Sequence, residues 1–140
     1  MSQPKIHVLI AAAGSGTRFD NKSDIPKQYQ DLAGKPVLRR TVEAFLLIED
    51  ISSIQCIINP EHKELYDKAI DGLKISNYLE GSNSRKESIA NGLKNIREVK
   101  NEDVILIHDG ARPLISKDDI LKLIASLNNN QAASLAHPVS

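Results

Sequence analysis

A short apolar run followed directly by a loop of small residues most strongly constrains how this chain can fold. The run Ile6-His7-Val8-Leu9-Ile10 is typical of a buried strand, and Ala11-Ala12-Ala13-Gly14-Ser15-Gly16-Thr17-Arg18 follows it without a break. Small residues and glycines let a backbone approach a ligand closely and present its N–H groups to it. Arg18 and Lys27 bring two positive charges to the same segment. The pattern therefore predicts a strand and loop that bind a polyphosphate.

Two common phosphate-binding loops do not fit this segment. A dinucleotide fingerprint G-x-G-x-x-G needs a glycine at position 19, where Phe19 stands. A Walker A loop would have to use Gly34-Lys35, but Tyr29 stands where its first glycine belongs and Pro36 where its hydroxyl belongs. A plain glycine turn between two elements remains the alternative for this segment taken alone.

Length and charge limit the classes of partner. The 140 residues suit one domain or part of one, and 18 Lys and Arg balance 18 Asp and Glu. A general nucleic-acid binder usually has a basic excess, and the 4% aromatic content argues against base-stacking surfaces. No nucleic-acid partner is expected.

Cysteine and histidine usage argues against disulfides and zinc. Cys56 is the single cysteine, and it lies in an apolar run where a buried core residue is expected. The four histidines show no metal-site spacing. The apolar stretch at the N-terminus is too short and too interrupted for a targeting or membrane segment, so no membrane contact and a cytoplasmic location are expected.

Strands are predicted at regular intervals along the chain. After the first strand, we expect one at Ser53 to Ile58, ended by Asn59-Pro60, and a weaker one at Ile75 to Leu79. The continuous apolar run Val104-Ile105-Leu106-Ile107 is typical of a central parallel strand that is covered on both faces. A further strand is expected at Ala132 to Pro138.

Helices are predicted between these strands. Pro36 suits the first position of a helix, Ser84 with Glu87 forms a capping-box pattern, and Ser116 suits another helix start. A further helix is expected from Glu61 to Ile70. The apolar residues at helical spacing are Leu38, Val42, Phe45, Leu46, Leu65, Tyr66, Ala69, Ile89, Leu93, Ile96, Ile120, Leu123, Ile124 and Leu127. The alternation predicts a doubly wound α/β fold with a mostly parallel sheet.

Three polar segments follow predicted strands, at residues 12–27, 80–88 and 108–113. In an open parallel sheet, ligands bind beyond the carboxyl ends of the strands. We therefore expect the three segments to meet in one crevice.

The first segment suits phosphoryl chemistry. Arg18 can donate hydrogen bonds in a planar fork to phosphate oxygens, and Lys27 acts as a mobile point charge. Such cations stabilise the negative charge that develops around an attacked α-phosphorus and on a leaving pyrophosphate. The alternative is that both residues are solvated surface charges.

The other two segments offer polar groups for a nucleoside. Residues 81–83 and Ser88 surround a predicted helix start, where N–H and hydroxyl groups can bind the polar edge of a base. Simple helix capping by Ser84 and Glu87 is the alternative, and the two roles are compatible. Asp109 can bind Mg²⁺ or ribose hydroxyls, unless it is a structural residue paired with Arg112.

Five motifs occur in an order that resembles a known enzyme family. They are Ala12-Ala13-Gly14-Ser15-Gly16-Thr17-Arg18, Pro26-Lys27-Gln28-Tyr29, Gly34-Lys35-Pro36-Val37-Leu38, Arg85-x-x-Ser88 with Asn91-Gly92-Leu93, and His108-Asp109-Gly110-Ala111-Arg112-Pro113. Together they resemble the 2-C-methyl-D-erythritol 4-phosphate cytidylyltransferases of non-mevalonate isoprenoid synthesis. The resemblance runs from Ile6 to the end of the chain and implies a Rossmann-like nucleotidyltransferase fold.

The resemblance also implies a reaction and a site. CTP and 2-C-methyl-D-erythritol 4-phosphate would give the CDP-alcohol and pyrophosphate, with Mg²⁺ as cofactor. Arg18 and Lys27 match the catalytic positions that stabilise the transition state, and Asp109 matches the carboxylate for the metal and ribose. The nucleotide-binding positions that it implies are Ala12, Ala13, Gly14, Ser15, Gly16, Thr17, Gly81, Ser82, Asn83, Arg85, Ser88, Asp109, Gly110 and Ala111.

The sequence departs from the family's pattern in two residues and in length. Ser82 stands where the family usually has a second glycine, and its side chain can crowd the base, while Gly110 stands where an alanine is usual. Residues 1–140 would form a single nucleotidyltransferase domain limited to its N-terminal, CTP-binding part. The C-terminal strands, most acceptor-binding residues and the arm of the family's homodimer would be missing. We therefore expect a fragment of low stability that binds CTP with little turnover and does not form that dimer.

Three other functions remain open from the sequence. One is a cytidylyltransferase for another polyol phosphate, such as ribitol 5-phosphate. Another is a non-catalytic nucleotide-binding remnant. A pure interaction module has less support, since no apolar repeat, charge run or Pro-rich stretch is present.

Overall fold

The computed structural model describes residues 5–14, 25–82, 84–96 and 103–126. Its helices are α1 (Val37–Leu46), α2 (Lys63–Ala69), α3 (Arg85–Asn95) and α4 (Lys117–Ser126). Its strands are β1 (Ile6–Ala12), β2 (Asp31–Leu32), β3 (Lys35–Pro36), β4 (Ile51–Ile58), β5 (Leu79–Glu80) and β6 (Val104–Asp109). Short 3-10 turns span Lys27–Tyr29 and Pro60–His62.

Four parallel strands form the main sheet, in the order β5-β4-β1-β6. The helices that connect them flank this sheet, so the predicted doubly wound α/β fold is confirmed. Strands β2 and β3 form a separate antiparallel hairpin just before α1. The chain therefore leaves the sheet after β1, makes this hairpin, and returns through α1 to β4.

Strand β1 lies at the centre of the described sheet. Its residues Val8, Leu9 and Ile10 are fully buried, because β4 and β6 flank it and helices cover it. Helix α1 packs Leu38, Val42 and Phe45 into the same core. The predicted position of Cys56 in this core is confirmed, since its side chain is fully buried.

The start signals of the helices act as the sequence predicts. The Ser84 hydroxyl accepts a 3.1 Å hydrogen bond from the Glu87 N–H, and the Ser116 hydroxyl accepts one of 3.0 Å from the Asp119 N–H. Pro36 directly precedes the first residue of α1, one position before the place predicted for it. These bonds satisfy N–H groups that have no partner within their own helix.

Three expectations about the elements are corrected. Strand β5 spans only Leu79–Glu80, so residues 75–78 are not a strand. Strand β6 is not covered on both faces, since Ile107 is 41% exposed, and among the described residues it pairs with β1 alone. The predicted apolar face of α3 is also wrong at Leu93, which is exposed.

Small residues explain the orientation of α3. Its buried residues are Ser88 and Gly92. A Cβ atom at Gly92 would lie 2.6 Å from Cδ1 of Ile57, so the helix backbone lies directly on the sheet. The sequence pattern predicts the buried face from apolar side chains. In this helix, the close approach of its backbone to the sheet decides which face is buried.

Among the described residues, no helix is long and apolar enough to cross a membrane. The predictions for Leu127 and for a strand at residues 132–138 lie outside the residues that the structure describes.

Candidate functional site

The carboxyl ends of the four parallel strands are level with one another. Ala12 of β1 pairs with Ile58 of β4, and Ile58 pairs with Glu80 of β5. On the other side of β1, Ala11 pairs with Asp109, the last residue of β6. The polar segments that follow β1, β5 and β6 therefore start at the same edge of the sheet, as predicted from the order of elements.

The segments after β1 and β5 touch through a glycine. A Cβ atom at Gly81 would overlap the Cβ of Ala13 and would lie 3.0 Å from the hydroxyl oxygen of Ser88. The Gly81 N–H also donates a 2.7 Å hydrogen bond to the carbonyl of Ile58. Only a residue without a side chain fits at this contact.

A hydrogen-bond network holds the segment after β5 on helix α3. The Ser88 hydroxyl accepts a 2.8 Å bond from the Ser82 N–H and donates one of 3.3 Å to the Ser82 carbonyl. The Asn91 side-chain amide donates to the Ser82 hydroxyl. Ser88 is 2% exposed, so its hydroxyl positions residue 82, and the Ser82 side chain is directed to α3.

The segment after β6 forms a tight turn at the other side of β1. One Asp109 oxygen, Oδ1, accepts a 2.9 Å hydrogen bond from the Ala111 N–H, which closes an Asx turn. The other, Oδ2, lies 3.8 Å from Nε of Arg112, whose side chain is 70% exposed. This pairing is weak, so it occupies little of the capacity of the carboxylate to bind another ligand.

Gly110 connects this turn to β1 and α1. A Cβ atom there would lie 3.0 Å from the Cβ of Ala12 and 3.1 Å from Cδ1 of Leu38. Its N–H donates to the Ala11 carbonyl at 2.8 Å, and its carbonyl accepts a 3.0 Å bond from the buried Thr41 hydroxyl. The turn is thus fixed from two sides.

The 3-10 turn Lys27–Tyr29 lies next to the segment after β1. The buried side-chain amide of Gln28 donates to the carbonyls of Ala12 and Gly14, at 3.0 and 2.9 Å. Lys27 is exposed, and its ammonium group has no ion-pair partner among the described residues. The structure therefore places an exposed lysine directly before the residue that contacts Ala12 and Gly14.

The structure brings most of the predicted nucleotide-binding positions to this one edge. They are Ala12, Ala13, Gly14, Gly81, Ser82, Ser88, Asp109, Gly110 and Ala111. Arg85 is exposed in the first turn of α3. Five predicted positions lie outside the described residues, namely Ser15, Gly16, Thr17, Arg18 and Asn83.

Three supporting residues were not assigned a role from the sequence. Gln28 follows Lys27 directly, which is a usable signal, and Asn91 follows Ser88 at the spacing of residues on one helix face. Thr41 lies in the middle of α1, and no local pattern marks it as a partner of Gly110.

The donor set at this edge suits Mg²⁺ that is bound together with a nucleotide. Mg²⁺ is commonly held by one or two carboxylates and by substrate phosphates. Asp109 supplies one carboxylate, with Oδ2 free of hydrogen bonds from described residues. No group of three or more His, Cys, Asp or Glu side chains suited to a metal occurs in the described part of the chain.

Comparison with known proteins gives a family match over nearly the whole chain. The family described as IspD, 2-C-methyl-D-erythritol 4-phosphate cytidylyltransferase, matches residues 6–140. A bifunctional enzyme IspD/IspF of Paramagnetospirillum magneticum is 40% identical over 136 residues, which are 97% of this chain and 35% of that protein. The bifunctional enzyme of Rhodospirillum rubrum is 42% identical over 130 residues, 92% of this chain and 33% of that protein.

Solved structures agree with this match. The 4-diphosphocytidyl-2C-methyl-D-erythritol synthase of Anaerococcus prevotii superposes with a TM-score of 0.73 at 26% identity, over 91% of this chain and 52% of that one. The 2-C-methyl-D-erythritol 4-phosphate cytidylyltransferase of Francisella tularensis gives 0.69 at 31% identity, over 90% and 53%. The chain spans about a third of these curated relatives and about half of these solved chains.

Proposed function

Because the chain belongs to the IspD family of 2-C-methyl-D-erythritol 4-phosphate cytidylyltransferases, we propose that it binds CTP beyond the carboxyl ends of β1, β5 and β6. The observation that carries the proposal is that these strands end at the same height in the sheet. Ala12 and Glu80 both pair with Ile58 of β4, and Ala11 pairs with Asp109. Ligands of open parallel sheets bind at such an edge.

The proposed reaction is cytidylyl transfer to 2-C-methyl-D-erythritol 4-phosphate. A phosphate oxygen of the acceptor attacks the α-phosphorus of CTP, and the bond from that phosphorus to the leaving pyrophosphate breaks. Lys27 and Arg18 are proposed to stabilise the negative charge that develops in this step. Lys27 is exposed and directly precedes Gln28, which bonds to the carbonyls of Ala12 and Gly14, and this supports its share of the role.

The three segments are proposed to divide the nucleotide among them. The segment of β1, from Ala12 onward, takes the phosphates, since it combines small residues with adjacent cations. Residues 81–83 are proposed to present backbone groups to the cytosine, and Ser88 holds the backbone of Ser82 among them. Asp109 takes the ribose hydroxyls and, with the phosphates, Mg²⁺. Bound there, Mg²⁺ would neutralise phosphate charge.

Calorimetric titration with CTP and Mg²⁺ tests the proposal. We expect CTP to bind, ATP and UTP to bind at least about tenfold more weakly because of contacts to the base, and Arg18→Ala to weaken CTP. Circular dichroism of each sample shows whether it is folded. A folded wild-type chain that binds none of the three nucleotides would refute the proposal for this chain.

A second variant pair tests the placement of Lys27. Lys27→Ala removes the exposed cation next to Gln28, whereas Lys74→Ala removes an exposed cation just after α2, outside the three segments. Only Lys27→Ala should reduce CTP affinity. In a pyrophosphate-release assay with the acceptor, Lys27→Ala should also abolish any turnover that the wild-type chain shows. Equal effects of the two variants would remove Lys27 from the site.

A further inference from the structure

The carboxamide of Gln28 joins two parts of the candidate site. Gln28 is only 6% exposed, and its Nε2 donates to the carbonyl of Ala12 at 3.0 Å and to the carbonyl of Gly14 at 2.9 Å. We infer that Gln28 is a positioning residue that holds the phosphate-binding segment after β1 in its binding conformation. This inference rests on the proposed function, because it concerns the same CTP site.

The two bonds require a side chain that can donate twice from one end, which the amide of Gln28 does. Both partners are carbonyl oxygens, which only accept, so the group that faces them must donate twice. Asparagine is one methylene shorter, and glutamate at neutral pH has no hydrogen to donate. Beyond Ala12 the chain has left the sheet, and its backbone groups need partners other than neighbouring strands.

The bonds also determine the direction of a neighbouring N–H. The peptide bonds are trans, so the N–H of Ala13 and the carbonyl of Ala12 lie in one peptide plane and point in opposite directions. Holding that carbonyl toward Gln28 therefore directs the Ala13 N–H away from Gln28. Gln28 also keeps the two carbonyl oxygens in hydrogen bonds. Without these bonds, the negative ends of the two carbonyl dipoles would be free to face a phosphate and repel it.

The same side chain fixes Lys27 relative to this segment. Two backbone hydrogen bonds close the turn around Gln28. The N–H of Tyr29 donates to the carbonyl of Pro26 at 2.9 Å, and the N–H of Gln30 donates to the carbonyl of Lys27 at 3.2 Å. Tyr29 is buried, which anchors the turn in the core. Gln28 thus fixes the backbone of Lys27 relative to the backbone of residues 12–14.

Gln28→Met tests the inference, because methionine has a similar length and no donor. The matched control is Gln55→Met, which removes a side-chain bond of 2.9 Å to the carbonyl of Asn77 outside the three segments. Each variant is titrated with CTP and with CMP. We expect Gln28→Met to weaken CTP by roughly tenfold and CMP by less than about twofold, because the residue acts on the phosphate-binding part. Gln55→Met should change neither affinity.

The outcomes separate this inference from the proposed function. If the wild type binds CTP and folded Gln28→Met binds it with the same affinity, the role of Gln28 is overturned and the proposed function stands. Equal loss of CTP and CMP affinity would also overturn it, since that result indicates general damage to the fold. A folded wild-type chain that does not bind CTP would overturn both.

A measurement on the unmodified chain covers the case in which Gln28→Met does not fold. In ¹⁵N-labelled protein, the side-chain NH₂ signals of Gln28 should exchange slowly with solvent and shift on addition of CTP. The NH₂ signals of Gln55 provide the internal reference. A Gln28 signal that exchanges as fast as that of Gln55 and does not respond to CTP would overturn the inference.

Discussion

The hydroxyl of Thr41 donates a 3.0 Å hydrogen bond to the carbonyl oxygen of Gly110, and both residues are buried. Thr41 lies in α1, while Gly110 directly follows Asp109 at the end of β6. The same hydroxyl also lies 3.2 Å from the carbonyl of Val37 in its own helix. A helix on one side of the sheet is therefore bonded to the turn that carries the carboxylate of the candidate site.

Replacing Thr41 with valine tests this relationship. Valine keeps the shape of threonine, so the change removes the hydroxyl and leaves the Gly110 carbonyl buried without its partner. We expect the free energy of unfolding to fall by about 1–2 kcal/mol in urea denaturation. Thr41→Ser is the control, since it keeps the hydroxyl. A Thr41→Val variant as stable as the wild type and more stable than Thr41→Ser would contradict the importance of the bond.

The contact between Gly81 and Ala13 leads to a second prediction. In Gly81→Ala, the new methyl group overlaps the Cβ of Ala13, so the segments after β1 and β5 must separate. We expect a loss of about 1–3 kcal/mol in the free energy of unfolding and a loss of CTP affinity. The double variant Gly81→Ala with Ala13→Gly removes the obstructing carbon and should recover part of both. Additive destabilisation in the double variant would show that the two residues do not interact.

The order of elements was predictable because it rests on local patterns. The apolar run of β1, the caps at Ser84 and Ser116, and the proline before α1 each act within a few residues. The meeting of the three polar segments follows from the general rule that ligands bind at the carboxyl ends of parallel strands. The site's location could therefore be deduced without knowledge of any contact.

Other features could not be predicted, because they depend on contacts between residues far apart in sequence. Thr41 and Gly110 are 69 positions apart, and nothing near Thr41 indicates its partner. The buried face of α3 was predicted from apolar spacing, but Gly92 and Ser88 form it, since close approach to Ile57 excludes larger side chains. Strand β5 is shorter than its apolar residues suggest, since only Leu79 and Glu80 pair with β4.

The role of Ser88 gives a third prediction. Ser88→Ala leaves the N–H of Ser82 without its 2.8 Å acceptor in a partly buried place. We expect a loss of about 1–2 kcal/mol in stability and a smaller preference for CTP over UTP, because the proposed cytosine contacts depend on residues 81–83. Ser84→Ala is the control, since it weakens the cap of α3, where the Ser84 hydroxyl accepts from the Glu87 N–H, and leaves the Ser88 hydroxyl in place. A change in the CTP to UTP ratio in both variants alike would contradict the specific role of Ser88.

The last prediction concerns the pH dependence of stability. Burial raises the pKa of the Cys56 thiol from 9.0 to about 12, because the apolar core disfavours a thiolate. Above pH 9 the unfolded chain loses this proton while the folded chain keeps it, so the unfolded state binds fewer protons and the free energy of unfolding falls as pH rises. The contribution from Cys56 should fall by up to about 1.4 kcal/mol per pH unit between pH 9 and 12.

Urea denaturation at several pH values, on the wild type and on Cys56→Ala, measures this effect. Burial also raises the pKa values of Tyr29 and Tyr66, so both proteins should lose stability at high pH. The decline should be shallower in Cys56→Ala, because that variant lacks the thiol. At pH 8 the wild-type thiol should react with Ellman's reagent only at the rate at which the protein opens. Parallel pH profiles for the two proteins, together with rapid thiol reaction in the folded state, would show that Cys56 is accessible and ionises normally.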